Sequence, residues 1–188
     1  MSPGKNYSEE WNSNNTLFAM YMGSNDVFDV KKVNNTKTMF ENLNDVLDVI
    51  YITLENIYEV GGRNFLILNV APFYYAPINA QGNKYEYVFK SVPYFNYFLR
   101  VKANKLFKNH DDVNVIFYDL HAEYLHIMDQ YANYGFKFKD KAWKIDNKKY
   151  KKKNQVDLFF WRDFTHISNK ANKILAEDIH ALLESTTN

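Results

Sequence analysis

Asp163 and His166 stand three residues apart in "FFWRDFTHISNK", directly ahead of an apolar helical repeat that runs to Leu183. A carboxylate at that spacing can hold an imidazole in one tautomer while the ring takes a proton from a hydroxyl. The same spacing also suits a local cap with a packing histidine beside it. Taken alone, the pair admits both readings. A second group of interest lies in "MYMGSNDVF", where Gly23, Asn25 and Asp26 follow an apolar run. Glycine allows a close backbone approach, and an asparagine amide can donate to a developing oxyanion. Gly, Ser, Asn and Asp are also ordinary turn residues.

The remaining candidates are weaker. Ser24 is not framed by a G-x-S-x-G elbow. Asp119 and His121 follow "NVIFY" and suit a helix start. His110, His126 and His180 are scattered, with no spacing that suggests a metal site. The absence of cysteine excludes disulfides, thiolate chemistry and cysteine metal ligands.

The elements that must position these residues are legible as hydrophobic patterns. Thr16–Gly23, Asn64–Ala71 and Val113–Leu120 are continuous apolar runs closed by turn residues, as expected of buried strands. Thr36–Val60 carries apolar residues at steps of three and four and stops at Gly61 and Gly62, which predicts an amphipathic helix. Further helices are expected over Tyr85–Lys108, interrupted or delayed by Pro93, over His121–Tyr134, and over Ser168–Leu183. The stretches Ser24–Asn35 and Phe136–Asp157 read as loops. Strands alternating with long helices predict an α/β chain with a parallel sheet covered on both faces. Ligands of such sheets bind beyond the carboxyl ends of the strands. That draws attention to Gly23–Asp26, Asn69–Phe73 and Asp119–His121.

The 188 residues suffice for one domain with a substantial core. A formal net charge of +1 offers no electrostatic reason for a nucleic-acid partner. The basic run Lys148–Asn154 reads as a solvated loop. No apolar run approaches a membrane span, and the polar N-terminus has no signal-peptide core. The sequons at Asn6, Asn14 and Asn34 carry little weight in a chain so rich in asparagine. No glycine-rich phosphate loop follows any strand, which disfavours a nucleotide-binding domain.

"LFAMYMGSNDVF", then "GGRNFLILNVAPFYYAP", then "FFWRDFTH" before a terminal helix together resemble the SGNH, or GDSL-type, esterase and lipase family. The fungal carbohydrate acetylesterase-like branch is the most similar, and "YANYGF" (residues 131–136) matches a habit of its fungal and plant members. The likeness spans Leu17 to Ile179. It implies a three-layer α/β/α, flavodoxin-like fold. "GSND" is similar to the block whose asparagine donates to the oxyanion hole, which implies Asn25 as donor and Gly23 as the residue keeping that loop close. "DFTH" is similar to the last block, which implies His166 as general base and Asp163 as its orienting partner. One residue is inserted in the usual "WD", which reads Trp161-Arg162-Asp163 here, and the usual His-Pro-Thr reads His166-Ile167-Ser168.

A larger departure concerns the nucleophile. The family's serine sits in a GDS block upstream of the GxND block, with a further oxyanion glycine between them. Only 22 residues precede Gly23, and Ser2, Ser8 and Ser13 lie in a polar stretch. The chain therefore resembles the C-terminal part of the family domain: a polar tail over residues 1–15, a partial domain over 16–184 lacking the first two strands, and a tail over 185–188. The resemblance implies cleavage of ester bonds, with acetylated plant cell-wall carbohydrate as substrate, no metal or organic cofactor, and secretion. The chain alone is expected to be inactive, with an apolar sheet edge at Thr16–Gly23 open to self-association. The alternative is a catalytically silent, carbohydrate-binding remnant using exposed aromatics such as Trp143 and Trp161.

Overall fold

The computed structural model describes residues 10–30, 36–81, 86–146 and 153–186. The basic run at 148–154 and the sequons at Asn6 and Asn34 fall wholly or largely outside them. The chain divides into two compact units: residues 1–70 with 91–119, and residues 71–90 with 120–188.

The first unit contains a parallel three-stranded sheet ordered β1-β2-β3: Leu17–Tyr21, Asn64–Leu68 and Asn114–Tyr118. The three expected strands are thus present, in parallel, with β2 in the centre. Its Phe65, Leu66 and Ile67 are buried, consistent with a strand packed on both faces. Among the described residues β1 pairs only with β2, and its Leu17 and Tyr21 remain 38% and 44% exposed. The segment before β1 is anchored. Trp11 meets Phe18 edge-on at 5.6 Å, and Asn64 Nδ2 donates to the carbonyls of Ser13 (2.6 Å) and Thr16 (3.1 Å).

Helix α2 (Met39–Glu59) buries Leu43, Leu47, Ile50 and Leu54, the stripe that its three- and four-residue spacing predicts. Thr38 and Glu41 close its start as a reciprocal capping box. At its end Gly61, with φ of 102°, donates to the Tyr58 carbonyl while Gly62 donates to that of Ile57. This is a Schellman stop, whose left-handed residue favours glycine. Helix α3 (Val88–Asn109) is continuous. Pro93 does not interrupt it, because in the second turn it removes one N–H and its ring is exposed. Ser24–Asp29, expected as loop, forms a one-and-a-half-turn helix, α1.

The second unit contains α4 (Leu120–Asp129), a parallel strand pair β4 (Phe138–Ala142) and β5 (Phe159–Trp161), the short α5 (Trp143–Asp146) and α6 (Asn169–Ser185). Strand β4 and helix α5 replace part of the loop expected over Phe136–Asp157. The pairing is driven by aromatic burial: Phe159, Phe160 and Trp161 are all buried, and Phe138 lies 4.5 Å from Phe159. Phe160 meets Tyr124, Phe136 and Trp161 edge-on, the geometry that aromatic quadrupoles favour. The molecule is therefore an α/β protein with parallel sheets and flanking helices. Among the described residues no helix is long and apolar enough to cross a membrane.

Candidate active site

Asp163 and His166 sit on a turn between β5 and α6. Its base is a narrow antiparallel bridge between Trp161 and Ile167. Arg162 N–H donates to the His166 carbonyl at 2.7 Å, and Ser168 N–H to that of Phe160 at 2.7 Å. Two neighbouring segments hold it: Lys144 N–H donates to the Arg162 carbonyl (2.9 Å) and Ile78 N–H to that of Phe164 (3.0 Å). Buried Trp161 at one foot and buried Ile167 at the other seat the turn in the unit's core.

Within this frame one oxygen serves two purposes. Asp163 Oδ1 accepts the backbone N–H groups of Thr165 (3.2 Å) and His166 (2.9 Å), and also lies 2.8 Å from His166 Nδ1. The backbone bonds make an Asx-type turn. The ring bond places the imidazole proton on Nδ1 and leaves Nε2 to exchange protons. Asp163 is not the cap of α6. Ser168 fills that place, its buried hydroxyl accepting from Ala171 N–H at 3.3 Å. The carboxylate thus caps its own turn and orients the histidine at once.

Burial pushes the Asp163 carboxyl up. Hydrogen bonds from the His166 amide, its ring and the Thr165 amide outweigh it and hold the group below its ordinary value. The Lys144 ammonium lies 3.9 Å from the other oxygen. Asp163 is 24% exposed at its side chain and His166 79%, so the imidazole is open while its carboxylate partner is sheltered. The Thr165 hydroxyl lies 3.3 Å from His166 Nδ1. That nitrogen already donates to Asp163, so it offers the Thr165 hydroxyl no free acceptor. Lys144 was not singled out from the sequence, since it lies in a stretch without hydrophobic period.

Gly23 and Asn25 belong to the first unit, at the carboxyl end of β1. Gly23 has φ of 104°, and a Cβ built on it would lie 2.3 Å from two atoms of the Phe95 ring. Both facts require glycine. The Gly23 carbonyl accepts from Val27 N–H at 3.0 Å and so opens α1. Asn25 is the second residue of that helix and is exposed. The ends of β2 and β3 meet at Asn69, whose buried amide donates to Asp119 Oδ1 at 2.7 Å while Arg100 Nη2 bonds Oδ2 at 3.2 Å. Asn96 exchanges two bonds with the Val70 backbone. These groups brace the strand ends.

His121 belongs to the second unit, where its Nε2 lies 2.7 Å from Tyr74 Oη. His110 lies 2.7 Å from Glu55 and His180 3.3 Å from Glu184. Among the described residues no three His, Asp or Glu side chains gather as a metal site. The aromatics named for sugar binding need correcting. Trp161 is fully buried as the last residue of β5, and Trp143 is half-buried, so neither offers an open ring.

Comparison with known proteins gives concordant results. The model of the GDSL-like lipase/acylhydrolase family matches residues 5–179. A GDSL esterase/lipase of Arabidopsis thaliana is 28% identical over 138 residues, covering 68% of this chain and 36% of that protein. An acetylesterase of Thermothelomyces thermophilus is 33% identical over 67 residues, covering 36% of this chain and 21% of that protein. The matched parts thus span about a third and a fifth of the relatives' lengths.

Proposed function

This chain belongs to the GDSL-like lipase/acylhydrolase family, and from that premise we propose that it is the histidine- and aspartate-bearing part of a secreted serine ester hydrolase. Its substrates are acyl esters, acetyl groups on plant cell-wall carbohydrate among them. The observation that carries the reading is the 2.8 Å bond between His166 Nδ1 and Asp163 Oδ1, made by a side chain that is otherwise open.

The nucleophile in this reading is a serine supplied by a segment outside these 188 residues. His166 Nε2 removes its proton as the serine oxygen bonds to the ester carbonyl carbon. The carbonyl π electrons move onto oxygen, and the family resemblance gives the Asn25 amide as one donor to that anion, with Gly23 as the residue keeping its loop close. Collapse of the intermediate breaks the bond to the alcohol oxygen, which takes the proton from His166. Water then repeats the sequence on the acyl-enzyme and releases the acid. Asp163 stays ionised and stabilises the imidazolium. The exposed apolar side chains of β1, Leu17 and Tyr21, give such a segment a surface to cover.

The test begins with the native polypeptide, its start read by mass spectrometry or from the 5′ end of the transcript. The expected outcome is an upstream extension containing a GDS serine, with ester hydrolysis abolished by His166→Ala. The 188 residues alone should release no acetate from an aryl acetate or acetylated xylan. A native chain that starts at Met1 and folds stably without esterase activity would overturn the catalytic reading. It would leave the silent, carbohydrate-binding alternative.

A further inference from the structure

The second unit contains a groove of about 350 Å³ lined by Tyr75, Leu125, Met128, Asp129, Lys139 and Asp140. Its volume lies within the range of small-ligand pockets, roughly 300–1,000 Å³. Three elements build it: the turn after β2, the last turns of α4, and β4.

Tyr75 is 56% exposed, yet it is not a loose surface ring. Its backbone is fixed in a 3₁₀ turn, with its N–H on the Pro72 carbonyl at 2.9 Å. Behind it stands Tyr74, with ring centres 4.9 Å apart. Tyr74 in turn stacks on Phe89 at 5.0 Å and lies 2.7 Å from His121 Nε2 through its hydroxyl. An open aromatic face is thus braced by a chain of packed and hydrogen-bonded rings. Such preorganisation spares a ligand the cost of ordering its platform.

Buried Met128 and half-buried Leu125 make a small apolar floor beside Tyr75. Exposed Asp129, Lys139 and Asp140 stand around it with acceptors and donors. Asp129 is steadied by Gln130, whose Nε2 donates to its Oδ2 at 2.8 Å. The Lys139 ammonium rests over the Tyr131 ring at 5.2 Å. Two carboxylates against one ammonium disfavour an anionic ligand. The combination matches a neutral ring with a flat C–H face and a rim of hydroxyls. The face meets Tyr75 and the floor, while the hydroxyls donate to Asp129 and Asp140 and accept from Lys139.

We propose that this groove is a binding subsite for a glycosyl unit of a neutral oligosaccharide. The inference names the carbohydrate half of the proposed substrate and rests on that reading for its part in turnover. Binding itself requires neither an ester nor a nucleophile. The experiment is titration calorimetry of the 188-residue chain with xylotriose, cellotriose and mannotriose.

At least one triose should bind with a Kd of about 1 mM or tighter, weakened at least about tenfold by Tyr75→Ala and less than about threefold by Tyr75→Phe. Asp140→Asn should weaken it several-fold, and Tyr97→Ala, an exposed ring on the other unit, should leave it unchanged. No binding of any triose at about 10 mM, or full affinity in Tyr75→Ala, would overturn the proposal. Should Tyr75→Ala fail to fold by circular dichroism, unchanged affinity in Asp140→Asn overturns it instead. Triose binding by a protein whose extended form hydrolyses neither an aryl acetate nor acetylated xylan would sink the esterase reading and leave the subsite standing.

Discussion

His166 receives two constraints from one oxygen of Asp163: its amide donates to Oδ1 at 2.9 Å and its ring Nδ1 lies 2.8 Å from the same atom. Backbone conformation and imidazole orientation are therefore set together. An asparagine at 163 can keep its Oδ1 on the backbone N–H groups but carries no charge to stabilise an imidazolium. In an extended, serine-bearing enzyme of the kind proposed, Asp163→Asn should fold normally and lose activity by about 10³–10⁴-fold, as orienting carboxylates do elsewhere. Asp163→Ala should lose activity and also lower the thermal midpoint. Retention of more than about a tenth of wild-type kcat in Asp163→Asn would show that this carboxylate does not serve the base.

The depressed carboxyl of Asp163 makes a pH prediction. In the unfolded chain the group titrates at its ordinary value of 3.8, and in the folded chain lower. Its stabilising contribution is therefore complete above 3.8 and is lost as pH falls through the folded value. The stability difference between wild type and Asp163→Asn should be constant near neutrality and shrink on acidification below 3.8. Thermal unfolding at a series of pH values checks it. A difference that stays constant down to pH about 2 would mean that the hydrogen bonds are not made to the ionised form.

Much of this is legible in the sequence. β2 is an apolar run because it is covered on both sides, β1 and β3 keep the apolar pattern at only partial burial, and α2 announces itself because one stripe is buried. Strand β4 escaped notice because "FKDKA" buries only Ala142, its other residues being charged or half-exposed. Strand β5 is three residues long and has no period to detect. Trp161 read as an open ring, yet β-pairing carries it into the core. The Asp163–His166 pair was visible as a spacing, but the assignment of the helix cap to Ser168 was not, since both residues are good caps. Tyr75 lies far in sequence from α4 and β4, so only folding brings the groove together.

Gly23 is constrained twice, by a left-handed φ and by the ring of Phe95. A Cβ in that conformation costs about 1–2 kcal/mol. Displacing a packed core ring adds about 1–3 kcal/mol. Gly23→Ala should therefore lower stability by about 2–5 kcal/mol in urea unfolding. Phe95→Leu in the Gly23→Ala background should recover part of that loss relative to Phe95→Leu alone, because the ring is what the methyl meets. Strict additivity of the two substitutions would place the whole cost in the backbone.

Tyr51 marks a second titrating cluster, in the first unit. Its phenol is pushed up to about 12, first by burial and then by its hydrogen bond to Glu55. Glu55 is opposed by burial but held below its ordinary value by hydrogen bonds from Tyr51 and His110, the latter at 2.7 Å. Because the folded phenol titrates above the unfolded one, its contribution to stability is intact below pH 10 and lost as pH rises toward 12. A phenolate-absorbance titration of wild type minus Tyr51→Phe should show a single group ionising near 12. Glu55→Gln removes the negative neighbour and should move that group down, but only part of the way. Burial is the larger cause and survives the substitution. A return to the ordinary value of 10 in Glu55→Gln would make the carboxylate, not burial, the dominant influence on Tyr51.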